Sequence, residues 1–250
     1  MSAPFEPRVA LASLSGEADA DWALAVEEHV GAAFLGGIAL DEPTRAAARA
    51  MVERDRSEFL PDDPLALIDR ELAALSDAAL KGGFNVRAAD PDPVAEAAAV
   101  CADHDAGVEI HAHCRQVEMC AAGAGESLLE EPDRLCEQVR AAADAGAAVG
   151  VKVRTEVSGV DLPAVAARAD AAGADILHVD AMDSEEVVAR VVEATDAAVI
   201  ANNEVRDRES VAEYLDYGAD AVSVGRASDD PAVLRAVRGA VEAERPEVAR

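Results

Sequence analysis

From Gly82 onward one unit recurs: a short apolar run, an Ala-rich helical stretch, an Ala-Gly or Gly-Ala step, then the next apolar run. The runs are Phe84–Arg87, Val108–His111, Val149–Arg154, Asp175–Asp180, Ala198–Asn202 and Ala221–Gly225. Helical stretches follow near 93–104, 131–145, 161–172, 184–194, 207–217 and 230–243. Strands alternating with helices over short connections make parallel βαβ units. Right-handed crossovers then allow an open doubly wound sheet or a closed barrel. The first third adds strand patterns at Arg8–Leu14 and Ala32–Ile38, and helices at 19–30, 43–57 and 64–79. Eight strands close a barrel, and 250 residues is the usual size of one. The expected fold is α/β, a (β/α)8 TIM barrel forming a single domain over 1–250, with an open sheet as the alternative. Two helices where one would serve make 43–79 an insertion, broken at Asp41-Glu42-Pro43 and again at Leu60-Pro61-Asp62-Asp63-Pro64.

The core must be built from Ala, Val, Leu and Ile, because aromatics are only 3% of a chain that is 51% apolar. Charge is lopsided: 50 acids against 22 Lys plus Arg give a net charge of -28. Such a surface repels itself unless salt screens it, so the acidity reads as adaptation to a salt-rich, halophilic cytoplasm. It also opposes the counterion-release drive of nucleic-acid binding, though molar salt weakens that objection. The four cysteines contain no Cys-x-x-Cys pair, so a structural zinc site is not expected and reduced thiols are. No signal peptide or membrane span is visible, which points to a cytoplasmic protein without a membrane partner.

Side chains on a strand alternate faces. Val108 and Ile110 oppose Glu109, His111 and His113; Val149, Val151 and Val153 oppose Lys152 and Arg154; Leu177 and Val179 oppose His178 and Asp180. Three successive strands thus turn polar heads toward an interior that is normally apolar, and such groups need partners or a ligand. Each residue has a plainer role available. Lys152 can pair with Asp180, His178 can be a satisfied interior histidine, Cys114 a small buried hydrophobe, and Glu109 a partner for Arg154 or a histidine. A long loop follows the fourth run and carries Cys114 with Gly123 and Gly125. The last two runs end in Asn202-Asn203 and Gly225-Arg226, where barrels of this kind present backbone N–H groups to phosphate.

These segments resemble the tRNA-dihydrouridine synthase family of flavin barrels, and especially its archaeal relatives of unassigned role, from about Gly82 to Val237. The order of motifs is shared: Asn85, Cys114 with Gly123-Ala124-Gly125 and Leu128-Leu129, Val151-Lys152-Val153-Arg154, Ile200-Ala201-Asn202-Asn203, and Gly225-Arg226. The resemblance implies FMN at the barrel mouth, NADPH as the reductant, and hydride transfer to a conjugated substrate. On that reading Lys152, Asn85, His178, Asp180, Asn202, Asn203, Gly225 and Arg226 hold the cofactor. Cys114 would be the general acid, with His111 beside it in the catalytic set. A thiol suits this role because thiols titrate near ~8.5 and stay protonated at neutral pH.

Several positions depart from the family pattern. His111 stands for Asn, His113 for Gly, Arg115 for Pro, Asp180 for a flavin-contacting His, Asn203 for Gly, and Asn85 for Gln. The family's helical tRNA-binding domain is not expected, since no stretch for it follows the eighth helical one. The expected substrate is therefore a small or nucleoside-like molecule, with tRNA the less favoured partner. Two other functions fit the residues. His111, His113 and His178 with Asp180 could hold the metal of a hydrolase; alternatively, the barrel could keep only a phosphate cradle and catalyse nothing.

Overall fold

A computed structural model describes residues 4–244; the ends of the expected 1–250 unit lie outside the described residues. Eight strands run in order around a closed barrel: β1 (Val9–Leu11), β2 (Ala32–Ala39), β3 (Lys81–Arg87), β4 (Gly107–His111), β5 (Ala148–Arg154), β6 (Ile176–Asp180), β7 (Ala198–Asn202) and β8 (Ala221–Val224). Every neighbouring pair is parallel, and β8 closes on β1 through Val9↔Val222 and Leu11↔Val224. The open-sheet alternative is thereby set aside.

Acidic residues build the helix starts. Asp41, Asp63, Asp207 and Asp230 cap helices Glu42–Val52, Pro64–Ala74, Arg208–Asp216 and Pro231–Ala243 by accepting free first-turn N–H groups. Proline stands first in Pro64–Ala74, Pro91–Asp103, Pro132–Asp144 and Pro231–Ala243, where the missing N–H costs nothing. The two punctuated breaks in the sequence are thus helix N-termini.

Some elements are shorter than their patterns. The helix expected over 19–30 is a five-residue helix, Ala20–Leu24, followed by a 3-10 turn, Glu27–His29. The chain must reach β2 within a few residues and tightens to do so. Helix Glu42–Val52 stops before the polar run Glu53-Arg54-Asp55-Arg56, where Asp55 adopts φ 60. The loop after β4 contains two short helices, Val117–Ala121 and Ser127–Glu130.

The barrel interior is layered. Its lower end is apolar, with Phe5, Ala10, Phe34, Ile200 and Ala221 packed together. Above lie Asn85, Glu109, His178 and Ser223, all 0% exposed. The larger apolar core sits between strands and helices and takes in Val108, Val149, Val151, Leu177 and Val179, the outward faces read from the sequence.

Candidate active site at the barrel mouth

A hydrogen-bonded chain crosses the interior. His178 Nδ1 lies 2.6 Å from Glu109 Oε1 and its Nε2 lies 2.7 Å from Ser223 Oγ. Asn85 Nδ2 donates to Glu109 Oε2 at 2.5 Å, and Asn85 Oδ1 lies 2.5 Å from His111 Nδ1. Gly37 is required beside it, because a Cβ there would collide with Asn85 Oδ1. Burial lowers the His178 pKa and drives that of His111 well down, so both imidazoles are neutral. One proton arrangement satisfies every atom: Ser223 donates to His178, and His178 and Asn85 donate to Glu109. His111 in turn donates to Asn85, an assignment that follows from the network. Burial pushes the Glu109 carboxyl upward, but His178, Lys152 and Asn85 outweigh it and hold it below the usual carboxylate range.

Lys152 sits beside this carboxylate. It is 2% exposed, lines the mouth, and its ammonium makes no hydrogen bond among the described residues. Burial lowers its pKa, while the charges of Glu109 and Asp180 act to keep it protonated. No ion pair to Asp180 forms; Asp180 Oδ2 instead lies 4.0 Å from His113 Nε2. Nor does Glu109 meet Arg154, whose Nη1 binds Glu126 Oε2 at 2.6 Å and so ties β5 to the loop after β4.

The mouth consists of two joined cavities. One, of 440 Å³, lies over Lys152 and reaches the ends of β7 and β8 at Asn202, Asn203, Gly225 and Arg226. The other, of 640 Å³, extends past His111, His113 and Cys114 toward residues 51–58. Asn203 and Glu204 adopt φ 106 and φ 51, the left-handed turn for which the related pattern has glycine. Asn203 holds this shape by donating to the Met182 carbonyl at 2.6 Å, and Asn202 donates to the Ser223 carbonyl at 3.1 Å. An added Cβ at Gly225 would meet nothing within 4 Å, so the rim is open above the β8 end.

Cys114 is positioned by the Gly-Ala-Gly segment. Glu126 N donates to the Cys114 carbonyl at 2.8 Å, and Gly125 (φ 64) packs so closely that a Cβ would strike that oxygen. Buried Leu128 and Leu129 anchor the other side of the loop. All four cysteines are free, and burial pushes the Cys101 thiol up to about 12.

Of the residues singled out in the sequence, Cys114, His111, Lys152, Asp180, Asn202, Asn203, Gly225 and Arg226 line the mouth. Asn85 and His178 do not. The Asn85 amide, one methylene shorter than Gln, is captured by Glu109 and His111, and both His178 nitrogens are engaged below the floor. This also removes ligands from the metal-hydrolase alternative, and no group of three or more His, Cys, Asp or Glu among the described residues is arranged to hold a metal ion. The sequence reading overlooked Ser223, Arg87 and Glu58. Arg87 was within reach of it, since it shares the inward face of β3 with Asn85 by the period of two. Its guanidinium binds Glu58 at 2.6 Å and also Ser15.

A parallel eight-stranded barrel with an unbonded buried lysine at its floor, an open turn at the β7 and β8 ends and a thiol on the β4 loop has the layout of a cofactor-holding oxidoreductase barrel. Residues 76–249 match the dihydrouridine synthase (Dus) family, and the chain belongs to it; it is a flavin-dependent oxidoreductase. It is 28% identical over 236 residues to an uncharacterized protein of Methanocaldococcus jannaschii, covering 89% of each chain. Among solved structures, TcOYE with pHBA superposes with a TM-score of 0.68 at 13% identity, over 94% of this chain and 89% of that one. Morphinone reductase in complex with tetrahydroNAD gives 0.64 at 15%, over 93% and 87%. A tryptophan synthase complex chain from Pyrococcus furiosus gives 0.59 at 14%, over 97% and 98%. At such identities these likenesses show the barrel fold alone. No helix among the described residues is long and apolar enough to cross a membrane.

Proposed function

We propose that the barrel mouth holds FMN and uses it to reduce a conjugated, small or nucleoside-like substrate, with NADPH as the electron donor. The observation that carries this is Lys152, a 2%-exposed side chain with no hydrogen bond that faces the same cavity as Asn202, Asn203, Gly225 and Arg226. A buried cation without a hydrogen-bond partner calls for one, and a ring system that gains negative charge on reduction is suitable. When bound, FMN supplies hydride. The chain's own residues do the rest. Lys152 anchors the charged edge, and the two strand-end turns with Arg226 grip the phosphate. Asp180 and Glu109 keep Lys152 protonated; Asn85 and His178 act from below by fixing Glu109. Cys114, on the loop beside the cavity, delivers the proton to the substrate carbon. His111 is held neutral and cannot serve as an imidazolium acid.

Chemistry of the surface favours a small substrate over tRNA, because 50 acidic side chains against 22 basic ones oppose a polyanion. The visible spectrum of protein purified in high salt tests the cofactor: flavin bands support the reading, and colourless protein that rejects added FMN defeats it. Cys114→Ala should keep reduction of the flavin by NADPH and abolish substrate turnover; persistent turnover would remove the thiol from the acid role.

A further inference from the structure

The larger cavity is furnished on one side by residues 13–17 and 51–58, which precede the family-matched span of 76–249. It is rich in arginine for so acidic a protein. Five arginines line it against four carboxylates, Glu17, Asp55, Glu58 and Asp180, whereas the whole chain has 50 acids and 22 bases. Two of the arginines are already committed, Arg87 to Glu58 and Arg154 to Glu126. Arg56, Arg115 and Arg226 make no salt bridge and no side-chain hydrogen bond among the described residues, although the charge of Arg56 acts on the nearby Glu118 carboxylate, and Arg226 lies with the β7 and β8 rim.

Arg56 and Arg115 stand on separate segments that are fixed to each other. Arg54 Nη2 donates to Gln116 Oε1 at 3.1 Å and to Glu118 Oε2 at 2.8 Å, which joins 53–60 to the loop after β4. Glu58 is pinned by Arg87, and Phe59 bridges to Ile38 of β2. The inserted segment is therefore a built wall of the cavity. A second observation points to a polar occupant. Of seven buried side-chain polar atoms without a partner among the described residues, four belong to residues lining this cavity: Ser13 Oγ, Glu58 Oε1, Arg87 Nε and His113 Nδ1. Such atoms are rare in folded proteins and call for a ligand or ordered water.

We infer that the substrate is a small acid, carrying a carboxylate or phosphate that Arg56 and Arg115 clamp while its reducible bond lies toward Cys114. Guanidinium groups bind both anions through paired N–H donors. The inference rests on the reductase reading above for its reducible bond; the anion clamp does not need it. A small acid fits this molecule better than RNA, because the surrounding charge repels a ligand more strongly the more charges it carries.

The test titrates purified protein, by calorimetry and by the shift of its visible spectrum, with uridine, uridine 5′-monophosphate and uracil-6-carboxylate. At least one acid should bind about tenfold or more tightly than uridine, and which one does so separates phosphate from carboxylate. Arg56→Ala with Arg115→Ala should remove that advantage and leave the flavin absorbance unchanged. Both side chains are exposed and make no salt bridge or side-chain hydrogen bond, so the variant folds, which circular dichroism verifies. Yellow protein that binds uridine and both acids alike, or a double variant that keeps acid affinity, overturns the inference and leaves the flavin reading standing. Colourless protein that binds an acid through the two arginines does the reverse. Arginine-dependent retention of a tRNA transcript, with neither acid bound, also overturns it and assigns the clamp to RNA.

Discussion

At the scale of single residues, buried charge decides most of what the mouth can do. Lys152→Ala removes the buried ammonium of the mouth and should weaken FMN binding by ~1.5–3 kcal/mol, the worth of a hydrogen bond to a charged group; fluorescence titration of apoprotein measures it. His111 and His113 give a pH signature. Burial, and for His111 the neighbouring His113 and for His113 the nearby Lys152, push both well below their ordinary value of 6.5. As pH falls through 6.5, the unfolded chain binds protons that the folded one refuses. Stability should therefore decline on acidification from that point, by about 1.4 kcal/mol per pH unit for each histidine held neutral. Urea midpoints from pH 7.5 to 5 test this, and His111→Asn should flatten the slope. The inward residues were legible because strand periodicity separates the faces of Glu109, Lys152 and His178. The fate of Asn85 and His178 was not. Whether they meet a ligand or are captured by Glu109, His111 and Ser223 depends on which residues face them from β4 and β8, and no local pattern in the chain carries that.

Among elements, the loop after β4 and the segment 53–60 make the substrate side. The first announced itself by composition, since a cysteine followed by two glycines and a leucine pair marks a structured loop at a strand end. Gly125 acts on the cysteine, whereas Gly123 lies against the Arg134 guanidinium. Gly125→Ala puts a methyl group against the Cys114 carbonyl at φ 64, so turnover should fall steeply with the flavin spectrum intact. Segment 53–60 left no comparable sign, because its first five residues read as the last turn of the helix expected over 43–57. Its Glu58 forms a buried pair with Arg87, both side chains being 2% exposed. Glu58→Ala would strand the guanidinium and should cost about 3–5 kcal/mol, read as a lower urea midpoint at fixed salt.

On the scale of the whole molecule, barrel closure followed from counting strands and turns, and every neighbouring pair is parallel as the alternation required. The net charge of -28 sets the conditions under which that barrel stands. Raising salt from ~0.1 M to ~1 M shortens the screening length from ~10 Å to ~3 Å. The melting temperature should climb over that range, and a flat response would refute the halophilic reading. The buried chain from Ser223 to His111 has a further meaning at this scale. Its two arms both point their hydrogens at Glu109, like queues meeting at one door. A proton wire needs every donor aligned head to tail, and this one reverses direction in the middle. The chain therefore relays no proton across the barrel between Ser223 and His111; every hydrogen in it serves to hold Glu109 ionised.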